Sequence, residues 1–357
     1  MIDNIRWLND NIFWGIPMII LMLGTGLVLT LRTKGILFYR FGTVMGNTLK
    51  TIFRKDKVKE EGTITPFQAV CTALAATVGT GNIVGIAIAI HVGGPGTIFW
   101  MWICAILGMV TKYCEVTLAV AYREKNNRGE YVGGPMYYIG KGLGWKKTGW
   151  LFCLFAVGAS FGVGNMVQAN AVAGGLKTVF KIPTYGTGIL LVLLVGFVIV
   201  GGIKRIANMA EILVPFMALF YIVAAIIVLI TNVNLIPEAF GLIFRDAFTG
   251  TAPVGGFLGS TMIYAARIGV ARGVFTNEAG LGSAPIAHAS ANTDHPARQG
   301  CWGAFEVFFD TIVMCTITAL VIITSGLWVD PSLDGTAMSL AAFKSVIPGS
   351  EYVVSIG

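Results

Sequence analysis

The sequence predicts an all-α membrane protein, a polytopic helical bundle in which two of the spans are broken. Three observations carry that prediction. Of the 357 residues, 55% are hydrophobic and 12% charged, where soluble domains carry about 25% charge. The apolar residues come in blocks separated by short polar links, and about 20 apolar residues in a helix span a bilayer. Helix-poor residues crowd the middle of two of those blocks.

Eight spans are readable. The first, 11–31, is too long for a signal-peptide core and is stopped by Arg32 and Lys34, so it reads as a retained span. The second, 66–91, is interrupted at 79–82 by Gly79, Thr80, Gly81 and Asn82. The third is 97–121, the fourth 150–176, the fifth 185–202 and the sixth 210–231. The seventh, 253–289, is interrupted as well, and the eighth is 302–325. Two amphipathic links, 40–54 and 339–346, read as interfacial.

The net charge of +7 reflects topology, not nucleic-acid binding. Lys and Arg crowd alternate links, in 32–62 and 123–147 and at Lys204, Arg205 and Arg298. The opposite side carries Arg6, Lys177, Lys181, Arg245 and Lys344 alone. That asymmetry places the amino terminus outside the cell membrane.

Unwound backbone at membrane depth survives only where its polar groups bind something or line a cavity. The alternative for 79–82 is a Gly-rich helix packed closely on a neighbour. The seventh block favours the first of these readings. Gly273, Asn277, Gly280, Gly282 and Pro285 fall in one stretch with Glu278. The block would be about 55 Å long as one helix, too long for a straight span of a ~30 Å core. The two breaks are five spans apart, so they run in opposite directions and imply inverted five-helix repeats. Broken helices at corresponding positions of inverted halves point to a secondary transporter. The division is then 1–65 as an extracellular terminus, extra first span and basic cytoplasmic link, 66–231 as the first repeat, and 232–357 as an incomplete second repeat.

Other chemistry is poorly supported. The spacing of Gly79, Gly81 and Gly85 at membrane depth, with no strand before it, does not make a dinucleotide loop. No Walker loop or nucleophile–base set is present, so neither an ATP-driven pump nor an enzyme is expected. The six cysteines form no C-x-x-C pair and read as small buried hydrophobes. Gln168, among Gly158, Gly162 and Gly164 of the fourth span, either bonds a polar ligand or glues helices. Lys112, Glu115, Arg267, Arg272, Glu278, Glu306 and Asp310 are ionisable groups within spans. Lys112 and Glu115 are spaced to pair on one helix face and to snorkel, as is Glu306. Arg272 and Glu278 flank the seventh-span break. They can pair with each other or with residues beyond the chain, which leaves Glu278 open as a structural or coupling group.

Five segments now carry a resemblance: TPFQAVCTALAATVGTGNIVGIA (65–87), GGPGTIFWMW (93–102), MVTKYCEVTLA (109–119), YVGGPMYYI (131–139) and GVFTNEAGLGSAPIAHA (273–289). The chain resembles the alanine/glycine:cation symporters, the sodium/alanine symporter family. The resemblance implies the leucine-transporter-like fold and sodium-coupled symport of alanine or glycine across the plasma membrane. It implies that the backbone of Thr80 and Gly81 takes the substrate carboxylate. Phe275, Thr276 and Asn277 would face the ammonium and the small side chain, with Gln168 closing the pocket. Carbonyls of Ala75 and Val78 would hold part of a sodium site. Family members run longer by roughly three spans, as a complete pair of repeats requires, so this chain is expected to be carboxyl-truncated. The expected partners are the amino acid, sodium and the lipid bilayer, with no nucleic acid, and the unit is a monomer. A proton-coupled amino-acid transporter is the alternative. A channel is a weaker one, because the polar residues cluster at two breaks, not along one face.

Overall fold

The computed structural model describes residues 7–53, 63–249, 262–333 and 335–346. It is almost entirely helical. Apart from one ribbon, Glu124–Lys125 paired with Tyr131–Val132, the elements are helices, several long and apolar. The chain is a polytopic helical membrane protein.

The first span is Asn11–Arg32. A short helix, Ile36–Tyr39, and an amphipathic one, Phe41–Phe53, follow it. The second span is two helical pieces, Pro66–Thr77 and Gly81–Gly93, bent by 47°. The third is Thr97–Ala121, as expected from Pro95 and Gly96 before it. The fourth runs Lys146–Phe161, a π turn Gly162–Met166, then Val167–Phe180. The fifth is Thr184–Ile199, and the sixth, Gly202–Thr231, starts eight residues before the expected 210. Its polar first two turns had read as a link. Ile236–Thr249 is an amphipathic helix that the sequence reading did not assign. The described part of the seventh span is Met262–Asn277 plus Ala284–Ala289; its expected start at 253–261 lies outside the described residues. The eighth is one rod of Pro296–Val307, a π segment Phe308–Cys315 and Thr316–Ser325.

Close contacts fix the relative directions. Gly81 lies against Thr276 and Gly93 against Ile268, so the second piece of the second span runs antiparallel to the seventh. Gly269 sits on Thr97 and Gly273 on Cys104, so the third and seventh run parallel. Gly300 meets Thr117, and Trp102 Nε1 donates to Thr316 Oγ1 at 2.8 Å, so the third and eighth run antiparallel. This alternation is what eight successive crossings require. The third span is the hub, packed against the first, second, seventh and eighth. At Gly269 an added Cβ would sit 2.3 Å from the Thr97 carbonyl oxygen, so only glycine permits that approach.

Two expectations about polar residues are corrected here. Lys112 and Glu306 do not snorkel; both are fully buried, and Lys112 Nζ lies 3.2 Å from Glu306 Oε1 instead of pairing with Glu115. Side chains enclosed by neighbouring spans cannot reach the interface by snorkelling. The segment 339–346 is not interfacial either. It belongs to a helix, Gly335–Val346, whose Met338, Ala342 and Phe343 are fully buried against the eighth and second spans.

Candidate functional site

The first break is smaller than expected. A capping box starts the first piece: Gln68 N–H donates to Thr65 Oγ1, and Thr65 N–H to Gln68 Oε1. Gln68 Nε2 also donates at 2.8 Å to Asn208 and Glu211 of the sixth span. The helix ends at Thr77. Only Val78 and Gly79 leave the helical region, Val78 extended and Gly79 at φ 150°. Thr80 is already helical, and Ile83 N–H bonds back to the Gly79 carbonyl at 3.1 Å. The expected unwound run of 79–82 therefore shrinks to two residues. The physical reason is Asn82, whose Oδ1 accepts the Gly79 N–H at 2.9 Å and caps the new helix at once. The Gly79 N–H is thereby turned away from the Ala75 carbonyl. The first N–H groups of the new helix, on Thr80 and Gly81, have no intrahelical acceptor and point into the break.

The second break is also displaced. Phe275, Thr276 and Asn277 are helical, and the loop is 278–283, with Glu278, Gly280 and Gly282 at φ 52°, 90° and 79°. Glycine tolerates that region freely, and positive φ marks the turn better than low helix propensity does. Asn277 Oδ1 accepts the Ala279 N–H at 3.0 Å, and Glu115 Oε2 accepts the Gly280 N–H at 3.1 Å. Glu278 bonds the Ser283 hydroxyl, not Arg272; the Arg272 guanidinium lies 5.9 Å over the Phe275 ring.

The helix ends beside the two breaks meet. A Cβ on Gly81 would lie 3.2 Å from Thr276 Oγ1 and 3.3 Å from its Cα. The Thr276 hydroxyl oxygen is buried and unpartnered among the described residues, as is that of Thr77 on the other side of the first break. Buried polar atoms without partners are rare. Here two of them flank free helix-end N–H groups. A separate cavity of about 130 Å³ borders the second break on its first-span side, lined by Met22, Thr25, Cys104, Gly108, Thr111 and Gly280 among others.

Comparison with known proteins now decides the family. The family model described as "Sodium:alanine symporter family" matches residues 1–357. The sodium/alanine symporter AgcS of Methanococcus maripaludis is 46% identical over 356 residues, which cover 98% of this chain and 77% of that protein. An uncharacterized transporter of Haemophilus influenzae is 47% identical over 343 residues, 96% of this chain and 74% of its own. The probable sodium/glutamine symporter GlnT of Bacillus subtilis is 40% identical over 348 residues, 97% and 70%. The chain belongs to the sodium:alanine symporter family. It is a transporter of amino acids, not an enzyme.

The residues singled out from the sequence fall into three groups. Thr80, Gly81 and Thr276 come together at the junction, with Phe275 half-buried beside them in sequence. Ala75 and Val78 bracket the end of the first helical piece, where carbonyls lack intrahelical donors. Gln168 and Asn277 differ. Gln168 is half-buried with its Oε1 unpartnered, on a piece that packs against the fifth span and the helix Gly335–Val346. That helix in turn touches the turn Gly81–Gly85, and Ser339 Oγ donates to the Ile83 carbonyl at 2.9 Å. Asn277 is fully buried, and its Nδ2 donates to Thr311 Oγ1 of the eighth span at 3.2 Å. Ser339, Thr311 and Thr77 were not legible as site residues, because an isolated Ser or Thr in an apolar helix carries no signal of its own.

Proposed function

We propose that this symporter couples sodium to the uptake of small amino acids, alanine or glycine, across the plasma membrane by alternating access, with its amino terminus outside. The observation that carries the reading is the meeting of the two breaks at Gly81 and Thr276, with an unpartnered buried hydroxyl and free N–H groups at one point. An amino-acid carboxylate suits the N–H groups of Thr80 and Gly81, where the helix end is partly positive. Its ammonium suits the opposite end of the seventh span's first piece, whose last carbonyls are partly negative. The Thr276 hydroxyl is assigned to the ammonium and small side chain, and Gln168 of the fourth span to the remaining wall of the pocket. Sodium, a hard cation that takes oxygen ligands, fits the carbonyls of Ala75 and Val78, with the Thr77 hydroxyl next to them. Among the described residues, no group of three His, Cys, Asp or Glu forms a transition-metal site. Asn277 enters as the residue that shapes the second break.

Relatives named for alanine and for glutamine share this framework, so selectivity turns on pocket size. Phe275 is the aromatic group next to Thr276 and is placed to set that limit. Sodium-titrated isotherms for alanine, glycine and leucine test the assignment. Gln168→Ala is expected to cost alanine binding about 1.5–3 kcal/mol, the loss of a hydrogen bond to a charged group. Phe275→Ala is expected to admit leucine, each added buried CH₂ contributing about 0.8 kcal/mol. A Phe275→Ala protein that folds, still binds alanine and keeps its size cutoff removes Phe275 from the pocket. Unchanged alanine affinity in Gln168→Ala removes Gln168.

A further inference from the structure

Among the described residues, a hydrogen-bonded path joins the two breaks through two adjacent side chains of the eighth span, Asp310 and Thr311. At the first break, the Gly79 N–H donates to Asn82 Oδ1 at 2.9 Å. Asn82 Nδ2 donates onward to Asp310 Oδ1 at 2.8 Å and to the Asp310 carbonyl at 3.0 Å. The other carboxylate oxygen, Asp310 Oδ2, accepts from Thr311 Oγ1 at 2.8 Å. Thr311 Oγ1 accepts from Asn277 Nδ2 at 3.2 Å, and Asn277 Oδ1 accepts from the Ala279 N–H at 3.0 Å, inside the second break. Asn82, Asn277, Asp310 and Thr311 are each fully buried. Asp310 and Thr311 lie in the π segment Phe308–Cys315, and π turns are frequent at functional sites.

With Asp310 ionised, the donor–acceptor order along this path has one solution. An ionised carboxylate only accepts. It therefore draws the Asn82 amide and the Thr311 hydroxyl toward itself from opposite sides. Asn82 must then present its carbonyl oxygen to Gly79, and Thr311 must accept from Asn277, which leaves the Asn277 oxygen for Ala279. One charge thereby fixes the orientation of every group out to the backbone of both breaks.

We propose that Asp310 is a positioning residue that holds the two breaks in register, so that one amino acid can bridge them. The proposal rests on the reading that substrate binds at their junction. Asp310 itself touches neither the Thr80 and Gly81 N–H groups nor the Thr276 hydroxyl; it acts through Asn82 on one side and Thr311 on the other. An isosteric amide cannot replace it. In Asp310→Asn, if the new oxygen faces Thr311, the new NH₂ faces the Asn82 NH₂, donor against donor. If it is turned round, the Thr311 hydroxyl meets a second donor and its own hydrogen has no acceptor. Exchanging the two groups, Asn82→Asp with Asp310→Asn, restores the order from Gly79 to Thr311 but gives up the bond from side chain 82 to the residue-310 carbonyl. The carboxylate at 82 accepts from Gly79 N–H and from the amide at 310, whose oxygen accepts from Thr311.

The test is alanine affinity and maximal uptake for the protein in proteoliposomes at saturating sodium, with melting temperature alongside. Asp310→Asn and Asn82→Asp are each expected to weaken alanine binding about tenfold or more, the size of a lost hydrogen bond to a charged group. The double exchange is expected to recover part of that loss, which a purely space-filling role would not produce. Thr311→Val cuts the path on the seventh-span side alone and is expected to weaken binding about tenfold, because the bond it removes ends on a charged group. A double exchange no better than the worse single variant overturns the proposal. So does unchanged alanine affinity in Thr311→Val, which remains readable if Asp310→Asn does not fold. A shift in sodium dependence alone, with alanine affinity intact at saturating sodium, makes Asp310 an ion ligand and also overturns it. Loss of sodium-dependent alanine binding by the unaltered protein would instead remove the functional reading beneath it.

Discussion

Replacing Lys112 with alanine is expected to destabilise the protein by about 3–5 kcal/mol, the usual cost of leaving one buried charge without its partner. Lys112 on the third span and Glu306 on the eighth are both fully buried, 3.2 Å apart. Glu306 Oε2 also lies 3.2 Å from His288 Nε2 on the last piece of the seventh span, and His288 Nδ1 is 2.7 Å from Gln299 Nε2. Removing the lysine leaves Glu306 with His288 alone, in a part of the fold that water does not reach. Glu306→Ala should cost as much for the mirror-image reason. The double replacement Lys112→Met with Glu306→Leu should recover part of the loss, because apolar groups of similar volume need no solvation, while His288 Nε2 loses its partner. Thermal unfolding in detergent checks this. Single variants that melt within a degree of the parent would mean that the pair is hydrated, and would remove it as the tie between the three spans.

Gly79→Ala is expected to abolish alanine binding at a modest cost in stability. Gly79 sits at φ 150°, and an added Cβ there would meet nothing within 4 Å, so the penalty comes from backbone conformation alone. Such conformations cost about 1–3 kcal/mol for a residue with a side chain. The strain is relieved if 79 turns helical. The two pieces of the second span would then join, and the N–H groups of Thr80 and Gly81 would find intrahelical acceptors instead of a ligand. Gly158→Ala is the control. It too has open space, and it lies inside a regular helix at an ordinary φ, so alanine there should be neutral or slightly stabilising. Binding isotherms on both variants separate the outcomes. Parental affinity in Gly79→Ala would show that the break's backbone is not used.

What could be read in the sequence, and what could not, follows from the range of the forces involved. The third span was legible to the residue because Pro95 and Gly96 before it are local signals. The location of both breaks was legible because Gly and Asn cluster there. Their lengths were not. Asn82 closes the first after two residues by a side-chain bond, and Asn277 holds the seventh span helical up to the Glu278 turn. Those bonds depend on rotamers and on Asp310 and Thr311, which lie 228 and 34 positions away along the chain. The burial of Lys112 was illegible for the same reason, since its partner is 194 residues distant. The helix Gly335–Val346 looked interfacial because its apolar stripe was visible while its packing against the eighth span could not be inferred.

The central claim is that a sodium-coupled amino-acid site forms where the two breaks meet. Uptake of labelled alanine into proteoliposomes, driven by an inward sodium gradient and then by a proton gradient without sodium, tests it most directly. Concentrative, saturable uptake that requires the sodium gradient and is lost in Gly79→Ala is the predicted result. Uptake that ignores sodium and follows the proton gradient, or that rises linearly with alanine without saturating, would contradict it.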